Sequence, residues 1–169
     1  MSALNQYAIP VLGLREGMHR FEYEIGADFF AEFEDSVIKD GELHVTLDFD
    51  KRSNLIVMTF QIEGHIQAEC DRCLESFDAP LTTRQTLTVK YAEEEREEAE
   101  VLYIQRGTPS LDVAKFIYEF IHLAMPMILT HEQAGQECDE EMLRYLDTPA
   151  EDEAEPNPVW QALRDLGDQ

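Results

Sequence analysis

The stretch LIVMTFQIEGHIQAECDRC, Leu55 to Cys73, decides how this chain is read. From Ile56 its even positions are Ile56, Met58, Phe60, Ile62, Ile66, Ala68 and Cys70. After Leu55 and Val57 its odd positions are Thr59, Gln61, Glu63, His65, Gln67 and Glu69. Side chains along a strand point alternately to opposite faces, so the pattern predicts a strand with one buried side and Cys70 on that side. At strand rise the run would reach roughly 50 Å, and Gly64 is expected to mark a bulge or bend within it. Cys70 and Cys73 then sit on the turn that ends the strand. Two thiols three residues apart on a tight turn suit one metal ion or one redox pair.

Upstream, Leu43, Val45, Leu47 and Phe49 alternate with His44, Thr46, Asp48 and Asp50. The short polar link Lys51-Arg52-Ser53-Asn54 joins them to the long strand, which predicts an antiparallel hairpin. Phe21, Tyr23 and Ile25 mark an earlier strand, and Ile9-Pro10-Val11-Leu12 an edge strand. Residues 26–34 suit a short helix. Downstream, Asp78-Ala79-Pro80 breaks the chain before Leu87, Val89 and Tyr91 resume a period of two. The run EEEREEAE, 93–100, is expected to be a solvated loop, because blocks of like charge repel. Val101–Ile104 returns as one more strand. Ser110 is the expected N-cap of a helix whose residues Val113, Phe116, Ile117, Phe120, Ile121 and Ala124 form one apolar stripe, with Pro126 as its limit.

These elements predict an α+β architecture: an antiparallel sheet or partly open barrel of five to six strands, covered by one long amphipathic helix. The β-rich domain is expected over residues 1–131 and an acidic tail over 132–169. Between 132 and 156 ten acidic residues face one basic residue, Arg144. A short helix is expected over 139–146, a disordered linker over 147–156 and a closing helix that starts at Asn157-Pro158. Val159, Trp160, Leu163 and Leu166 share one face of that helix, which docks either on its own domain or on a partner. Trp160 and Leu163 are the candidate partner-binding residues.

The chain of 169 residues holds 36 Asp and Glu against 13 Lys and Arg, a net charge of -23. Proteins gain affinity for nucleic-acid backbones by neutralising phosphates with cations, so simple electrostatic RNA binding is disfavoured and basic partners are favoured. Three cysteines do not make a secreted disulfide framework. The first twenty residues lack a basic start followed by an apolar stretch, and no run approaches the ~20 apolar residues that span a bilayer. A cytoplasmic protein without a membrane partner is expected.

Zinc is the cofactor this pattern suggests, with Cys70, Cys73, His131 and Cys138 as ligands, since structural zinc takes four Cys or His donors and a two-residue spacer is the usual first pair. The six residues between His131 and Cys138 match no standard finger spacing. His122 is an alternative fourth donor, and three half-buried cysteines beside a surface histidine is the plain alternative. A redox role for Cys70 and Cys73 is disfavoured, because Asp71 and Glu69 should raise a thiol pKa and Arg72 only partly offsets them. No Gly-rich phosphate loop, nucleophile elbow or paired-histidine motif is present, so no enzyme is expected, no catalytic residue is singled out and no small-molecule substrate is implied. Within 51–90, Lys51, Arg52, Arg72, Arg84 and Lys90 balance five acids. The candidate RNA-binding residues are therefore Lys51, Arg52, Arg72 and Arg84.

Taken together, Cys70-Asp71-Arg72-Cys73 at a strand end, the helix running into Met125-Pro126, His131, Cys138 and the closing Asn157-Pro158 segment resemble the YceD family. These are the bacterial large-ribosomal-subunit RNA accumulation proteins. The resemblance covers roughly residues 40–169 in order and spacing. It implies a non-enzymatic role in ribosome biogenesis, supporting accumulation or processing of large-subunit (23S) rRNA. A basic ribosomal protein or a large-subunit precursor is the implied partner. The alternative is a small zinc-dependent RNA-binding module that contacts rRNA directly.

Overall fold

In the computed structural model, which describes residues 3–34, 36–98 and 100–146, the alternating run forms one strand, β4 (Leu55–Glu69). Its partners are β3 (Gly41–Lys51) and β5 (Ser76–Ala92), both antiparallel to it. Ile56, Met58, Phe60, Ile62 and Ile66 are buried beside Leu43, Val45, Leu47 and Phe49 and beside Phe77, Ala79, Leu81, Leu87 and Val89. The hairpin between β3 and β4 closes where the Arg52 N–H donates to the Leu55 carbonyl at 2.9 Å.

Gly64 does not interrupt β4. It stands opposite Leu43 on one side and Leu81 on the other, with no slip of register, so there is no bulge. Its φ of 149° is sparsely available to other residues, and a Cβ there would lie 2.1 Å from the Glu42 carbonyl oxygen. The glycine lets β3 approach closely; it does not end or bulge the strand.

The remaining strands are β2 (Gly17–Ile25), β6 (Arg96–Glu98) and β7 (Val101–Gln105), giving a six-stranded sheet in the order β2-β3-β4-β5-β7-β6. The expected all-antiparallel sheet is corrected here: β7 runs parallel to β5, and the sheet is mixed. Parallel neighbours need a return path between them. The glutamate-rich run, expected as a loop, supplies it, since Arg96–Glu98 forms β6 on the outer edge, antiparallel to β7.

The long covering helix is also corrected. The helix α2 spans only Ala114–Ala124, eleven residues, or about 16 Å at helical rise against roughly 55 Å for the seventeen residues of β5. Ser110 does not cap it. Leu111–Asp112 instead forms a strand, β8, paired with β1 (Ala8–Ile9), and the helix starts after Val113, where the Asp112 carboxylate accepts the Ala114 N–H at 2.9 Å. Met125 is already extended, as the residue before a proline must be. The fold is mostly β, with short helices: α1 (Ala27–Ala31), α2 and α3 (Glu140–Leu146). Through Phe116, Ile117 and Ile121, α2 packs on the core, and Phe120 meets the Phe60 ring at 5.1 Å between centroids.

No helix among the described residues is long and apolar enough to cross a membrane. The expected linker and closing helix, with Trp160 and Leu163, lie outside the described residues.

Candidate metal centre

Cys70 follows β4 directly and keeps the inward parity of Ile62 and Ile66, so the strand delivers its thiol to the core side, where it is buried. The turn that follows is closed by the Leu74 N–H donating to the Cys70 carbonyl and the Cys70 N–H donating to the Glu75 carbonyl, each at 2.9 Å. Leu74 takes up a left-handed conformation, φ 61°, with its side chain exposed. That conformation costs a residue with a Cβ about 1–2 kcal/mol, and the surrounding bonds hold it. The turn folds Cys73 back beside Cys70, and both thiols are buried.

The second half arrives from sequence far downstream. Thr130 caps a single 3-10 turn, His131–Ala134, through reciprocal bonds with Gln133. Gly135, at φ 67°, then reverses the chain, and the Gln136 N–H donates to the His131 carbonyl at 2.9 Å. This reversal lets Cys138 return to the same point as His131 despite their irregular spacing. His131 is buried, its ring 4.6 Å from that of Phe77.

Two contacts of the Cys70–Cys73 turn dock this segment. The Asp71 N–H donates to the Leu129 carbonyl at 2.8 Å, and the Leu129 N–H donates to the Asp71 carboxylate at 2.6 Å. Arg72 pairs with Glu132 at 2.7 Å. Neither Asp71 nor Glu132 was singled out by spacing, and no periodic signal in the sequence marks them.

One donor atom each from Cys70, Cys73, His131 and Cys138 lies within 4.8 Å of all the others. The Cys70 and Cys138 sulfurs are 3.7 Å apart, and the Cys73 sulfur is 3.3 Å from Nδ1 of His131. In a tetrahedral zinc site with bonds of about 2.3 Å to sulfur and about 2.05 Å to nitrogen, those separations come to about 3.8 and 3.6 Å. The donor set and its spacing fit such a metal. His122 stands apart on α2, with Nδ1 bonded to the Tyr118 carbonyl at 2.9 Å.

The electrostatics of the two linked thiols diverge. Burial pushes Cys70 up, but backbone N–H groups of Cys73, Arg72 and His131 outweigh it and bring the thiol down to about 6. Neighbouring carboxylates were expected to do the opposite; the amides of the turn, together with that of His131, prevail. Burial, followed by hydrogen bonding to Cys70, pushes Cys138 up to about 11.

The family model described as large ribosomal RNA subunit accumulation protein YceD matches residues 58–167. The chain belongs to the YceD family. All four donor residues fall within the matched range, while β1, β2 and β3 lie outside it. The family's description assigns a role in accumulation of the large ribosomal RNA subunit. No curated protein and no solved structure matches the chain.

The four cations expected to touch RNA lie in three separate places. Arg72 is at the candidate metal centre, bound to Glu132. Arg84 is exposed in the middle of β5, abreast of Gln61 on the face opposite the core. Lys51 and Arg52 sit at the β3–β4 turn, at the other end of β4 from the cysteines.

Proposed function

We propose that this YceD-family chain supports accumulation of large-subunit rRNA by binding, not catalysis, with its acidic surface holding a basic ribosomal protein or a precursor of the large subunit. The observation that carries this reading is the charge, 36 acidic against 13 basic residues, in a family described by large-subunit rRNA accumulation. Such a surface attracts cationic partners over a screening length of about 8 Å at physiological salt and repels bare RNA at longer range. Zinc held by Cys70, Cys73, His131 and Cys138 is structural in this scheme: four protein donors leave no open position for a substrate. It staples the 130–138 segment to the end of the sheet.

The test is affinity capture of the tagged full chain from cell extract, at low and high salt, with and without RNase. Ribosomal proteins that resist RNase and dissociate with salt are the expected result. Capture of no ribosomal protein at either salt concentration would overturn it. Zinc is tested separately by elemental analysis in reducing buffer, where about one ion per chain is expected.

A further inference from the structure

The open mouth of the core at the β3–β4 end is a cavity of about 240 Å³, and its charge is the reverse of the molecule's. Lys51, Arg52 and Arg106 line it with one carboxylate, Glu16. Three cations to one acid stands against 13 to 36 for the chain. Arg15 lies between the lining residues Leu14 and Glu16, and Lys90 is the register partner of Leu55 at the start of β4. Arg15, Lys51, Arg52 and Arg106 are thus brought to one end of the sheet from three separate parts of the sequence, beside Glu16, Asp50 and Glu93, while Lys90 lies on the opposite face of the sheet.

The chemistry of the wall is specific. Tyr91, half-buried on the core-facing side of β5, forms its aromatic surface, and the Arg106 guanidinium lies 5.2 Å from the ring centroid. Tyr91 and Arg106 also line a neighbouring space of about 510 Å³ with Glu93 at its rim. Lys51 is partly committed: its ammonium donates to the Val11 and Leu14 carbonyls, both at 2.7 Å, which leaves one of its three protons. Arg52 is shared with Asp50 at 2.7 Å. Among the described residues Arg106 has no carboxylate partner, and its charge is open to a ligand.

We infer that this basic pole is a binding site for single-stranded RNA, with a phosphate held between Arg106 and Arg52 and a base stacked on Tyr91. An aromatic face beside a guanidinium is the usual pairing for an unstacked nucleotide, and a duplex cannot offer its bases to a recessed ring. The inference rests on the proposed role in rRNA accumulation and assigns RNA to the end of the sheet opposite the four-residue Cys and His cluster.

The experiment is fluorescence anisotropy of a single-stranded RNA of about twelve nucleotides with the full-length protein at about 50 mM KCl. Saturable binding is expected. Arg106→Glu should lower affinity at least about ten-fold and make the slope of log K against log salt shallower by about one. Tyr91→Leu should lower it about five-fold and Tyr91→Phe should not, since stacking needs only the ring. Arg72→Glu, at the far pole, should leave binding unchanged. Wild-type binding that is not saturable, or Arg106→Glu and Tyr91→Leu variants that bind like wild type, would overturn the inference, as would an equal loss in Arg72→Glu. Co-sedimentation with large-subunit precursors separates this from the proposed function. Wild-type protein that co-sediments but does not bind the oligonucleotide leaves the function standing and sinks the RNA pole.

Discussion

Asp71 and Leu129 hold each other by two backbone-directed bonds, Asp71 N–H to the Leu129 carbonyl at 2.8 Å and Leu129 N–H to the Asp71 carboxylate at 2.6 Å. This reciprocal clasp joins the two halves of the candidate metal centre across 58 residues of sequence. Groups that orient ligands without touching metal typically change affinity 10- to 100-fold when removed. Asp71→Ala is therefore expected to weaken zinc binding by about ten-fold or more, read by competition with a chromophoric chelator. The nearby Arg72–Glu132 pair is exposed and worth only about 0–1 kcal/mol, so Arg72→Ala should leave the affinity nearly unchanged. Equal effects of the two substitutions would contradict the clasp.

In metal-free protein, stability should depend on pH through the thiols. Cys70 is depressed from 9.0 to about 6, so the unfolded chain binds more protons between those values and stability rises as pH climbs from 6 to 9. Cys138 is raised to about 11, so the folded chain holds its proton longer and stability falls from 9 towards 11. Urea midpoints in the presence of chelator should peak near pH 9, and Cys70→Ser should flatten the rise below it. A flat wild-type profile would show that the amides of the turn do not stabilise the thiolate.

Gly64 and Gly107 both have positive φ, but only Gly64 is crowded. Gly64→Ala should destabilise the fold by on the order of 3 kcal/mol, because strain and a clash with the β3 backbone add. Gly107→Ala, with nothing within 4 Å of its Cβ, should cost about 1 kcal/mol. Chemical denaturation of the two variants gives the comparison, and similar losses would mean that β3 relaxes away from β4.

Phe60, fully buried in β4, and Phe120 of α2 meet edge to face at 5.1 Å. Phe60→Ala should cost about 3–5 kcal/mol, and a double-mutant cycle with Phe120→Ala should give a coupling of about 0.5–1.5 kcal/mol. Zero coupling would mean that α2 is held through Ile117 and Ile121 alone.

Much of the sheet was legible in the sequence. The alternation from Ile56 to Cys70 and from Leu43 to Phe49 reports which face of a strand is buried, and that is a local property with a period of two. The four-residue polar link made β3 and β4 neighbours, since so short a connection allows only a hairpin. The thiols and imidazole were legible as donors by residue type, and the ordered set of motifs pointed to the YceD family.

Periodicity is silent about which strand lies beside which, and there tertiary structure decided. The glutamate-rich run became β6 because β7 enters the sheet beside β5 and needs a return path, a contact made across the fold. The apolar stripe from Val113 looked long enough to cover a sheet. The helix that carries it starts only at Ala114, because Leu111–Asp112, just after the expected Ser110 cap, pairs as β8 with β1, about a hundred residues earlier in the chain. His131 and Cys138 reach Cys70 and Cys73 only through Asp71, Leu129 and the left-handed Gly135. Lys51, Arg52 and Arg106, distant in sequence, likewise came to line one cavity only when the strand ends were aligned. Local pattern determines burial; proximity between distant residues is settled by register and by single hydrogen bonds, which leave no period in the sequence.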